Sequence, residues 1–192
     1  MVRTENFERV QVRSSSELRN WLEANHAQSE SVWLVTFKKG RGRDYVSREA
    51  VLDELLCFGW IDGIRRKLDE DRTMQLISPR RVQHWAMSYK VRAARLIEEG
   101  RMRPPGQTAI AESKVAGLWD FMDDVDALVK PDDLEEALQA RADAAVHFDA
   151  FPPSSRRFVL RWIKLAKTPK TRARRIARVA DLAEKNQKLP GS

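Results

Sequence analysis

A chain of 192 residues, 42% hydrophobic and 33% charged, is long enough to bury its own core and suits one domain, or one domain with a helical extension. Its single cysteine excludes an internal disulfide and a cysteine-rich metal cluster. Together with the absence of any ~20-residue apolar run and a charged, coreless "MVRTENFERVQVRSSS" start, it points to a cytoplasmic protein with no membrane partner, signal peptide or anchor. The net charge of +7 is segregated: residues 1–119 carry +5, residues 120–150 carry −8 and residues 151–192 carry +10.

Ser14–Ser16 and "ELRNWLEANH" predict a capped helix with Leu18, Trp21 and Leu22 on one face. "SVWLVTFKK" predicts a strand apolar enough to be covered on both sides, and "KKGRGRDY" a mobile basic loop. Ser47 caps a second helix bearing Val51, Leu52, Leu55 and Leu56, and Gly59 ends it. "WIDGIRRKL" and "RTMQLIS", joined by "DEDR", read as an antiparallel hairpin that Pro79 closes. After Trp85, "SYKVRAARLIEEG" reads as a helix with an apolar face of Val91, Ala94, Leu96 and Ile97, and Gln107–Leu118 as a further short helix.

The last third reads as three helices. One spans "KPDDLEEALQARADAAVHFDAF", with an acidic first turn. The next is "RRFVLRWIKLAK", burying Phe158, Val159, Trp162, Ile163 and Ala166, and the last is Thr171–Asn186. The expected fold class is therefore α+β: a small antiparallel sheet of about three strands covered by helices, followed by a three-helix C-terminal unit. The boundary is expected near residue 120, giving segments 1–119 and 120–192 packed as one compact protein.

Standard catalytic motifs are missing from the sequence. His26, His84 and His147 are scattered without ligand spacing, there is no glycine-rich phosphate loop, and Cys57 sits at a helix C-terminus, where the dipole disfavours a thiolate. No cofactor is expected. The cations and tryptophans around the hairpin are more informative. Arg65, Arg66 and Lys67 lie on one strand, Arg80 and Arg81 follow the other, and Trp60, Asp62 and Trp85 are close in sequence. Arginines in a rigid frame grip carboxylate or phosphate, and tryptophan supplies a stacking surface, so these residues form a candidate ligand site. In the bland alternative, Asp62 pairs with an arginine to hold the hairpin and the tryptophans fill the core. In the basic tail, Arg172, Arg174, Arg175 and Arg178 form a candidate nucleic-acid face, although the acidic block just before them offers internal neutralisation.

"VWLVTFKKGRGRDYVSREAVLDELLCFGWIDGIRRKLDEDRTMQLISPRR", "LIEEGRMRPPGQTAI", "KPDDLEEAL" and "AKTPKTRARRIARV" together resemble the YdeI/OmpD-associated (OmdA, bacteriocin-protection) family of bacterial proteins. The resemblance implies a bacterial origin and a link to bacteriocin or envelope stress, with no established reaction, cofactor or catalytic residue. Where that family follows P-R-R with a Ser-x-Trp-Ser-x-x-Asn pattern, this chain keeps Trp85 but has Ala86 and Tyr89 in place of the second Ser and the Asn. Three functions remain open. The first is a non-catalytic, stress-associated protein binding an anionic ligand, a cell-wall-related one among the candidates, at Trp60, Asp62, Arg65, Arg66, Arg80, Arg81 and Trp85. The second is non-specific nucleic-acid binding through the basic helices. The third is an enzyme of unrecognised type using Asp62.

Overall fold

The computed structural model describes residues 7–192, so part of the N-terminal reading falls on residues 1–6, outside the described residues. The chain divides into two compact units, one running to Asp120 and the other from Phe121 to Ser192.

The first unit holds strands β1 (Arg9–Gln11), β2 (Val32–Phe37), β3 (Trp60–Lys67) and β4 (Arg72–Pro79). Its helices are α1 (Ser15–Asn25), α2 (Arg48–Cys57), α3 (Met87–Glu98) and α4 (Pro104–Val115). The sheet has four strands in the order β1-β2-β4-β3 and is mixed, because β1 runs parallel to β2 while the other pairs are antiparallel. This corrects the expected three-stranded antiparallel sheet. At three residues β1 is too short for alternation to be read from sequence, and only its pairing with β2 defines it. Cross-strand partners Val32–Ile77 and Leu34–Gln75 lie on one face, and they are buried in the same cluster as Leu18 and Leu22 of α1, Val51, Leu55 and Leu56 of α2, and Ala93 and Leu96 of α3, apart from the polar Gln75. On the other face Trp33 and Val35 are also buried, and the Arg66 guanidinium lies 5.3 Å over the Trp33 ring.

The capped starts of α1 and α2 follow from their serines: the hydroxyls of Ser14 and Ser47 accept from the amides of Glu17 and Ala50. Other local readings need correction. The basic stretch Lys39–Asp44, expected as a loop, has local structure of its own. It forms tight 3-10 turns with a kink at Arg41 and Gly42, and Arg41 pairs with Asp71 across the hairpin turn. In α3 the inward face is Lys90, Ala93 and Leu96, whereas Val91 and Ile97 are exposed. The stripe is displaced because Lys90 is buried despite its charge, its ammonium reaching Asp120 at 3.0 Å and the Trp119 ring at 5.3 Å. Helix α4 starts three residues before the expected point, with prolines in its first turn, where a missing N–H costs nothing.

The second unit contains five helices rather than three: α5 (Asp123–Asp126), α6 (Asp132–Gln139), α7 (Ala144–Ala150), α8 (Pro153–Lys164) and α9 (Pro169–Glu184). The long helix expected over 130–151 breaks after Gln139, and Asp143 enters α7 in a left-handed conformation (φ 54). Leu134, Leu138, Phe148, Val159, Ile163, Ile176 and Ala180 form its core, while Phe158, expected inside, is 42% exposed. Acidic α5–α6 and the basic helices neutralise one another within this unit. Lys164 binds Asp124, and the Arg172 guanidinium donates to both Asp133 oxygens at 2.6 and 2.8 Å.

Candidate anion-binding site

Strand β3 loses register between Asp62 and Arg65, and the irregularity falls at Gly63, where the backbone passes close to the Leu76 carbonyl. Asp62 is thereby left beside Gln75 on the helix-facing side. Gln75 Nε2 donates to Asp62 Oδ2 at 2.9 Å, Arg48 Nη2 lies 3.9 Å from the same oxygen, and the Tyr89 hydroxyl donates to Oδ1. Burial, reinforced by this bond to Asp62, pushes the Tyr89 phenol up to about 12, so it remains a donor at neutral pH.

Arg80 leaves β4 with its amide bonded to the Gly59 carbonyl at 2.8 Å. Its guanidinium turns inward and stacks on Trp85, with Cζ 3.8 Å from the ring centroid and 5.6 Å from that of Tyr89. Nη2 donates to the His84 carbonyl at 3.2 Å, whereas Nε and Nη1 are buried without a hydrogen-bond partner. Desolvation pushes the Arg80 pKa down to about 10, so the group stays charged at neutral pH, and among the described residues no carboxylate forms an ion pair with it. Trp85 is a fixed surface for this stack: its indole N–H donates to Ser113 Oγ at 2.8 Å and its ring meets Trp119 at 5.0 Å.

The candidate residues thus separate. Asp62, Arg80 and Trp85 come together around Tyr89, and Arg65 stands at the margin, donating to Thr73. Arg66 is on the opposite sheet face, Arg81 is exposed, and Trp60 is core, its N–H donating to the His26 carbonyl and its ring packed edge-on against Trp21. Sequence reasoning missed Tyr89, Gln75 and Arg48 as site residues. Their only signal was the Tyr89 departure from the family pattern, because the contacts join β3 to residues 13 to 27 positions away. It also missed the acidic pair of α2. Asp53 and Glu54 are buried, with Arg92, Arg95 and Arg101 on Asp53, and Arg19 and Arg101 on Glu54.

As a general base Asp62 is poorly placed, since both of its oxygens accept hydrogen bonds already. Cys57 is buried, and desolvation, with Glu54 nearby, pushes its thiol pKa up. On α9, Arg172 is held by Asp133, and Arg175 donates to the Trp162 carbonyl and lies over its ring; Arg174 and Arg178 are exposed. Among the described residues, no helix is long and apolar enough to cross a membrane.

Residues 10–109 match the model of a family described as "Domain of unknown function (DUF8412)". Residues 127–186 match the model described as "Bacteriocin-protection, YdeI or OmpD-Associated" (OmdA). The W-I-D-G and P-R-R motifs lie in the first match and T-R-A-R-R-I in the second. No curated protein and no solved structure matches the chain.

Proposed function

Because the chain belongs to the DUF8412 family over just more than half its length and carries an OmdA domain at residues 127–186, we propose that it is a non-catalytic, bacteriocin-protection-associated protein of the cytoplasm that binds an anionic ligand at Arg80. The supporting observation is the Arg80 guanidinium, buried against Trp85 with Nε and Nη1 unpartnered. A buried, unpaired charge costs several kcal/mol, roughly, and a carboxylate or phosphate oxygen reaching it would offset that cost. The local carboxylate, Asp62, is committed to Tyr89, Gln75 and Arg48. The half-buried Tyr89 adds ring surface for the body of a ligand, while Trp85 holds the guanidinium in place from below. Residues 80–86, which carry Arg80 and Trp85, form no helix or strand and expose Arg81 and Val82.

Isothermal titration of the full chain against inorganic phosphate, nucleotides and anionic cell-wall precursors tests the reading. Saturable binding that an Arg80→Ala/Arg81→Ala double change abolishes is the expected result. Binding indifferent to that change would remove the site.

A further inference from the structure

A separate groove lies where the end of α1, the residues after α2 and the first turn of α4 meet. It is an open cavity of about 470 Å3, within the range of small-molecule sites. Its lining has two chemical halves. Phe58, Pro104 and Pro105 are apolar, and the His26 ring sits tilted against Phe58 at a centroid distance of 6.0 Å. At the rim, Arg103 Nη2 meets Glu23 Oε1 at 3.1 Å, with both side chains nearly half exposed.

That rim pair is the informative feature. An exposed ion pair contributes little to stability, so exchanging its partners costs little. A ligand offering its own carboxylate to Arg103 and its own ammonium to Glu23 replaces this pair and leaves Glu23 its longer contact with Arg19 Nε at 3.8 Å. Pro104 and Pro105 remove two of the N–H donors of the first turn of α4, so the Arg103 side chain is the group at the rim that donates to an anion. The apolar half takes a flat ring, which lies on the Pro104 and Pro105 surfaces with the buried Phe58 as the floor beneath it. We infer that this groove binds a free aromatic α-amino acid, with its zwitterionic end in the Glu23–Arg103 pair and its ring against Phe58 and the two prolines.

The test is titration of the full chain with L-phenylalanine and L-tryptophan, read by calorimetry and by saturation-transfer NMR. Phenylpropionate and phenethylamine serve as half-ligands. The amino acids are expected to bind saturably, each half-ligand at least about tenfold more weakly, and Arg103→Ala and Glu23→Gln each to weaken binding by about tenfold. Thr108 is exposed on the groove wall, so Thr108→Trp fills the space without entering the core and is expected to abolish binding. Arg80→Met is expected to leave it intact. Absence of saturable binding at millimolar amino acid, phenylpropionate binding as well as phenylalanine, or full binding in a folded Thr108→Trp chain would each overturn the inference.

Discussion

Arg80 lies flat on Trp85, 3.8 Å from guanidinium carbon to ring centroid, and among the described residues no carboxylate pairs with it. The stack recovers about 1–2 kcal/mol as a cation–π contact, less than the several kcal/mol, roughly, that burying an unpaired charge costs. Arg80→Met keeps an unbranched stem against Trp85 and removes the charge. The variant is expected to be more stable than the parent by about 1 kcal/mol without ligand. Urea unfolding should show a higher midpoint at unchanged slope. A lower midpoint would mean that the charge is satisfied in the folded chain, and the anion-site reading would lose its support.

The acidic pair on α2 is a contrasting case, in which buried charge is answered. Asp53 receives Arg92, Arg95 and Arg101, so Asp53→Ala strands several guanidinium groups and is expected to cost about 2–4 kcal/mol. Burial alone would raise the Asp53 carboxyl pKa, but Arg95 and Arg92 outweigh it and hold the group below its ordinary value. A depressed carboxyl contributes stability that is complete above its unfolded-state pKa, about 3.9, and is lost as pH falls through the folded value. The stability gap between the parent and Asp53→Asn is therefore expected to be constant from pH 7 to about pH 5 and to narrow below about pH 4. Urea midpoints of both chains across that range measure it.

The basic helix α9 separates structural arginines from free ones. Arg172 makes two bonds to Asp133 and holds that carboxyl below its ordinary pKa, so Arg172→Ala is expected to lower stability by about 0.5–1 kcal/mol. Two residues on, Arg174 is exposed, and Arg174→Ala is expected to change stability by less than about 0.5 kcal/mol. Chemical denaturation of the two variants side by side provides the comparison. Equal losses would mean that the Asp133 pair does not hold α6 to α9.

Local patterns were legible in the sequence wherever a residue acts on its neighbours. Ser14 and Ser47 cap their helices, Gly59 takes a left-handed φ of 69 at the end of α2, and the β3–β4 hairpin lies where its turn residues put it. The failures come from long-range partners. Lys90 reads as surface in sequence, yet Asp120 and Trp119 let it occupy the inner face of α3. Strand β1 exists only through β2, and Asp143 splits a helical pattern that has no proline or glycine at the break. In the candidate site, Asp62, Arg80 and Trp85 stood out by composition, but Tyr89, Gln75 and the two-faced placement of Arg65 and Arg66 required the strand register.

Cys57 offers a chemical probe of the core. Its side chain is buried, and burial and the nearby Glu54 disfavour the thiolate that reagents require. Ellman's reagent is expected to give no colour with the native chain and one thiol equivalent after denaturation. Rapid reaction of the folded protein would show that the end of α2 opens on its own.

Gly106 joins that end of α2 to the start of α4. A methyl group at this position would lie 2.5 Å from the Cys57 carbonyl oxygen and 2.7 Å from that of Leu56. These two are backbone atoms in a helix end and cannot swing aside as the third obstacle, the flexible Met102 thioether at 2.5 Å, can. Gly106→Ala is expected to destabilise by about 2–4 kcal/mol, although alanine is the better helix former, because the overpacking cost exceeds a propensity gain of about 1 kcal/mol. Gly40 supplies the control: a methyl there meets nothing within 4 Å, and Gly40→Ala is expected to be neutral or slightly stabilising. Paired thermal and urea unfolding of the two variants distinguishes the cases. A Gly106→Ala chain as stable as the parent would show that α2 and α4 are free to separate at this crossing.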